Sequence, residues 1–110
     1  LEREKDFVGA KQAYETAITN GGYFLAYENL AQILLFHEST ASAVLFSQNA
    51  LKIFPNNARL WQIYSLAQYF SGSFAEATAA AQRAYFLSPN QQNTYIFSRL
   101  SQNLPLEVIK

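Results

Sequence analysis

The chain has 110 residues, enough for one domain with its own core. Half of them are apolar and 15% aromatic, which excludes a disordered segment, and only 15% are charged, against about 25% in ordinary globular proteins. Eight Lys and Arg balance eight Asp and Glu with no basic run, so the footprint of a nucleic-acid reader is missing; without cysteine there is neither a disulfide frame nor a thiolate metal site.

Taken in order, the punctuation predicts six helices and no strands. The first covers residues 3–19 and ends at Gly21-Gly22, where glycine reaches positive φ without penalty. The second, over 24–36, carries Tyr27, Leu30, Ala31 and Leu34 at the i, i+3, i+4, i+7 spacing of a buried helical stripe. Ser39 and Thr40 offer oxygens to the free N–H groups of the third, over 41–53. Pro55-Asn56-Asn57 closes it and starts the fourth, over 58–70, which breaks at Ser71-Gly72. Ser73-Phe74-Ala75-Glu76 reads as a capping box for the fifth, over 74–87. Ser88-Pro89-Asn90 repeats the proline turn, a sixth helix covers 91–103, and Pro105 ends it.

No segment is long and apolar enough for a membrane span: the longest apolar run, Ile33 to Phe36, falls far short of about 20 residues. No signal peptide is visible, and the composition suits the cytoplasm, the periplasm or the cell exterior equally. The chain begins at Leu1 and contains no methionine, so it is expected to be a piece of a longer protein or a processed product.

The chain also resembles itself at a lag of 34 residues. With 24–57 set over 58–91 and no gap, Phe36, Ser39, Ala41, Ala43, Gln48, Ala50, Pro55 and Asn56 fall on Phe70, Ser73, Ala75, Ala77, Gln82, Ala84, Pro89 and Asn90. A fixed period of this length marks a stacked repeat array, and such arrays present an extended surface to other molecules. Ala43 and Ala50 are two helical turns apart, as are Ala77 and Ala84, so each pair shares a face on which a neighbouring helix can approach closely.

Together these features resemble the tetratricopeptide repeat family. The clearest match is Trp61, Tyr64, Ser65, Gly72, Phe74, Ala77, Ala84 and Pro89; the preceding unit matches with Tyr27, Leu30, Ala31, Leu34, Ala43, Ala50 and Pro55. That unit departs from the pattern at Glu38, where a turn glycine is expected, and at Thr40, where an aromatic is expected. Asp6-Phe7-Val8-Gly9-Ala10 resembles the family's turn into a second helix, followed by Tyr14 and Ala17, and Tyr95 restarts the pattern 34 residues beyond Trp61. The single domain 1–110 then divides into a half repeat over 3–20, repeats over 24–57 and 58–91, a final helix over 91–103 and a tail over 104–110. Gln68 stands where the earlier unit has Leu34 and is expected to be partly exposed or hydrogen-bonded, because an unpaired buried amide costs about 1–3 kcal/mol.

The resemblance implies an all-α, right-handed superhelical array of antiparallel helix hairpins, a solenoid whose first helices line a concave groove. The groove places would be Leu25, Glu28, Asn29, Gln32 and Phe36, then Arg59, Gln62, Ile63, Leu66, Tyr69 and Phe70, then Asn93 and Ile96. A partner peptide or helix from another protein would lie there, with apolar anchors supplying area and amides supplying direction. The bland alternative for each residue is packing or solvation. A family subset grips a C-terminal carboxylate with paired Lys, Arg and Asn; here Glu28 is an anion in the first groove helix and Arg59 the only groove cation, which argues against such a clamp. A rival reading is structural: self-association through the open end helices, with Leu104, Leu106, Val108 and Ile109 packing on another copy or an adjoining domain.

An enzyme is not expected. His37 is the only histidine, and its neighbour Glu38 points in a different direction on a helix, so a turn histidine beside a helix C-terminus is the plainer reading. No triad, phosphate loop or metal cluster appears, and no cofactor is implied.

Overall fold

Glycine, proline and asparagine divide the chain where expected. The computed structural model describes residues 2–106, with side chains described from Phe7; Leu1, Val108 and Ile109 lie outside the described residues, as do the other residues of the tail beyond Leu106. Six α-helices follow one another among them: α1 Glu2–Thr19, α2 Phe24–Ile33, α3 Thr40–Ile53, α4 Ala58–Phe70, α5 Phe74–Leu87 and α6 Gln91–Ser101. Each packs chiefly on its neighbour in sequence, and α2 also meets α4. No described helix is long and apolar enough to cross a membrane. The Asp6–Ala10 stretch makes no turn: α1 runs through it unbroken.

Small residues set the helix spacing. Ala43 and Ala77 are fully buried, and Ala50 and Ala84 nearly so. Ser47 and Ala81, between them at the same lag, are buried too. The Ser65 hydroxyl donates to the Ala77 carbonyl at 3.0 Å, so α4 and α5 touch with almost nothing between their backbones. Larger groups fill the remaining space. Leu60 and Ile63 of α4 are sealed in the core, each contributing about 1.5–3 kcal/mol relative to exposure. Tyr27 stacks on Phe46 at 5.9 Å and meets Phe54 edge-on at 5.0 Å. Trp61 instead fixes the proline turn, its indole N–H donating to the Pro55 carbonyl at 2.8 Å.

Three helix ends close on the same backbone bond by different means. The N–H of Ser39 donates to Leu34 O at 3.0 Å, that of Ser73 to Gln68 O at 2.9 Å, and that of Leu104 to Arg99 O at 2.8 Å. At the end of α4 the bond needs a left-handed residue, and Gly72 supplies φ +84°. At the end of α6 Asn103 does so at φ +58°. After α2 there is no glycine, and the helix instead widens into one π-helical turn, Leu34–Glu38. The missing turn glycine at Glu38 is thereby explained. Gly22 has a different reason: a Cβ there would sit 2.5 Å from the Ala17 carbonyl oxygen.

The caps follow expectation in part. The Ser39 hydroxyl accepts from Ser42 N–H at 3.0 Å at the start of α3. Ser73 makes no such bond, so its capping box does not form. Entered from left-handed Gly72, Ser73 has ψ 75°, against the extended 152° of Ser39. Gln68 is buried, and its amide donates to the Tyr64 hydroxyl at 3.0 Å, the hydrogen-bonded outcome.

The two proline turns are not identical. Asn57 caps α4 by accepting from Leu60 N–H at 3.0 Å, whereas Asn90 caps α6 by accepting from Asn93 N–H at 2.8 Å. Cap and helix therefore recur after 33 residues here, not 34. Buried positions shift accordingly: Leu60, Ile63 and Ala67 of α4 correspond to Asn93, Ile96 and Leu100 of α6. Tyr95 thus takes the place of Gln62, not of Trp61, which corrects the register expected from the aromatic.

Candidate functional site: a groove along α2, α4 and α6

Arg59, Ile63 and Leu66 stand at i, i+4 and i+7, so α4 presents all three on one face. On one flank, α2 and its π turn bring Gln32 and Phe36; on the other, α6 brings Gln92, Tyr95 and Ile96, with Leu106 beyond. Together they enclose a cavity of about 280 Å³. Its walls are amide and guanidinium around Arg59 and apolar around Leu66. A second, polar cleft of about 340 Å³ shares Arg59, Gln62 and Gln92 with it and continues past Glu28, Asn57 and Asn90 to Asn93.

Hydrogen bonds across the three helices give this wall a fixed polarity. Asn93 Nδ2 donates to the Ser88 carbonyl at 2.9 Å and the Ala84 carbonyl at 3.3 Å. Carbonyls only accept, so the Asn93 amide must turn its NH2 toward them and its oxygen toward Gln62. Gln62 then donates Nε2 to Asn93 Oδ1 at 3.0 Å and to Gln92 Oε1 at 3.1 Å. That leaves Gln62 Oε1 for Arg59, which donates Nη1 to it at 2.6 Å. Arg59 Nη2 donates to Gln32 Oε1 at 2.8 Å. Asn57, besides capping α4, donates Nδ2 to Glu28 Oε2 at 2.8 Å. No buried side-chain nitrogen or oxygen among the described residues lacks a partner.

Arg59 is held by two neutral amides. Among the described residues the ion pair is Lys11 with Glu38, which ties α1 to the π turn. The hydrogen bond between those two, aided by their charge attraction, holds the Glu38 carboxyl below its ordinary pKa and the Lys11 ammonium above its own. His37 lies next to it, exposed, its ring 5.1 Å from that of Phe7.

The expected groove residues separate into groups. Gln32, Phe36, Arg59, Gln62, Ile63, Leu66 and Ile96 meet on the cavity wall. Glu28 and Asn93 belong to the polar cleft, and Asn93 is only 3% exposed because the register shift turns it inward. Asn29 lines a smaller hollow with Tyr14 and His37. Tyr69 turns to another hollow beside Phe74 and Leu100, and its hydroxyl accepts from Leu106 N–H at 3.1 Å. Leu25 and Phe70 are exposed and stand apart from the cavity; the Phe70 ring meets Tyr69 edge-on at 5.4 Å. Three wall residues were not foreseen: Gln92, Tyr95 and Leu106. Counting α6 from its asparagine cap would have exposed the first two.

Chemically the site can hold and orient a ligand. Among the described residues no three His, Cys, Asp or Glu side chains gather as a metal site would require. In comparisons with known proteins, no family model matches the chain and no curated protein matches it.

Proposed function

We propose that this chain is a protein-interaction module of the tetratricopeptide type, an array of helix hairpins that holds an extended segment of a partner protein along α2, α4 and α6. The observation that carries this reading is the cavity itself: three alternate helices contribute to one wall that mixes apolar anchors with oriented amides. The hairpin-like sequential packing supports it, as does the equal burial of Ala43 and Ala77 and of Ala50 and Ala84. A right-handed superhelical course of the hairpins is part of the same proposal.

Screening the 110-residue protein against an array of extended peptides tests it. Phe36→Ala and Tyr95→Ala should abolish binding to the selected peptides, while Leu45→Ala, at an exposed position of α3, should leave it intact. Binding that survives both groove substitutions would remove the groove from consideration.

A further inference from the structure

We propose that the groove selects an acidic–apolar peptide: the side-chain carboxylate of one residue docks on Arg59, and the apolar side chain two positions along docks between Ile63, Leu66 and Ile96. This rests on the groove reading above and adds the chemistry of the occupant.

The first support is charge. Arg59 spends two of its five N–H donors on neutral acceptors, Gln62 Oε1 and Gln32 Oε1, and pairs with no carboxylate among the described residues. Its fork is nevertheless aimed, because the Ala84 and Ser88 carbonyls fix Asn93, Asn93 fixes Gln62, and Gln62 fixes the guanidinium. A cation held in place and left without a counter-ion is set for a carboxylate, and prior ordering lowers the entropic cost of binding one. Glu28 does not fill that place, since its carboxylate is engaged by Asn57.

The second support is spacing. Arg59 and Ile63 are four residues apart on α4, a rise of about 6 Å. In an extended chain, residues two apart face the same side at about 6.6 Å. A peptide lying along α4 with a carboxylate at Arg59 therefore brings its next same-side residue to the apolar half of the cavity. The polar cleft continues on the other side of Arg59, with space for further peptide backbone, and Glu28 at its edge would repel a chain terminus bearing a second negative charge. The occupant is accordingly an internal acidic residue, not a C-terminal carboxylate.

Acetylated, amidated Ser/Gly peptides carrying one Glu and, two places away, one Leu form the probe, in both orders because an extended chain can lie either way. Nitrogen-15 NMR titration of the 110-residue protein should give saturable shifts at Gln62, Ile63 and Leu66. Replacing the probe's Glu by Gln should weaken binding by at least about fivefold, since a charge-assisted hydrogen bond is stronger than a neutral one. Arg59→Gln should make the two probes bind alike. Equal binding of Glu and Gln probes to the unsubstituted protein would overturn the carboxylate assignment and leave the groove standing. A Glu preference that persists in Arg59→Gln would place the acid elsewhere and overturn it too. Absence of shifts with either probe at millimolar concentration would overturn the proposed occupant, while the array screen judges the groove separately.

Discussion

Gln62 and Asn93 meet across α4 and α6 at 3.0 Å with one orientation open to both amides, because the acceptors behind Asn93 are backbone carbonyls. The pair is buried, with Gln62 at 5% exposure, so its bonds cannot be replaced cheaply by water. Asn93→Ala would leave the Gln62 NH2 one acceptor short and remove the side-chain donor from the Ala84 and Ser88 carbonyls. The expected loss is about 1–3 kcal/mol in a urea melt. In a double-mutant cycle with Gln62→Ala, the two losses should sum to more than the double substitution costs, with a coupling of about 0.5–3 kcal/mol. Strict additivity would show that the two side chains act independently.

Gly72 and Gly9 should respond in opposite directions to alanine. Gly72 sits at φ +84° in the turn after α4, where an added Cβ meets no atom but the backbone itself resists a side chain. Gly72→Ala is expected to destabilise by about 1 kcal/mol or more. Gly9 lies inside α1 with open space around it, and Gly9→Ala should stabilise by about 0.5–1 kcal/mol. Thermal melts of the two variants compare them directly. A stabilised Gly72→Ala would mean that the turn is not left-handed.

Local signals made the helices legible, and a one-residue change of register hid much of the site. Ala43, Ala50, Ala77 and Ala84 are buried because small residues two turns apart can serve only a close helix contact, and that spacing is visible in the chain. The breaks at Gly21-Gly22, Pro55 and Gly72 were equally plain, since each residue has a fixed conformational consequence. Asn93 was misjudged as an amide facing the groove because the lag of 34 was carried past Pro89. Asn90 caps one residue nearer its proline than Asn57 does, and every side chain of α6 turns with it. The relay from Asn93 through Gln62 to Arg59 joins residues about thirty apart through amide orientation, which no periodicity encodes.

The Lys11–Glu38 pair predicts a stability term confined between two pH limits. Glu38 has its pKa lowered in the folded protein, so its contribution is present above the unfolded carboxyl's pKa and is lost as pH falls through the folded value. Lys11 has its pKa raised, so its contribution is present below the unfolded ammonium's pKa and is lost as pH rises through the folded value. Both side chains are solvent-accessible, and the effect should be small and reduced by salt. Glu38→Gln should therefore lower Tm slightly at about pH 7, with the gap to the unsubstituted protein closing toward about pH 3. An NMR titration should place the Glu38 midpoint below that of Glu15. A Tm gap independent of pH would mean that Glu38 acts by packing and not by charge.

Ala77 provides the sharpest test of the hairpin between α4 and α5. It has no exposed surface, and its carbonyl accepts the Ser65 hydroxyl, so the two backbones approach as closely there as side chains allow. Leucine at this position must push α4 away or leave its preferred rotamer, at a cost of about 1–3 kcal/mol. Ala79, two residues on, faces solvent, and Ala79→Leu should change stability by less than about 0.5 kcal/mol. Both substitutions add the same apolar atoms to the same helix, so helix propensity cancels between them. Denaturant midpoints that fall for Ala77→Leu and hold for Ala79→Leu would fix which face of α5 meets α4; equal midpoints would show that α5 is rotated from the position described.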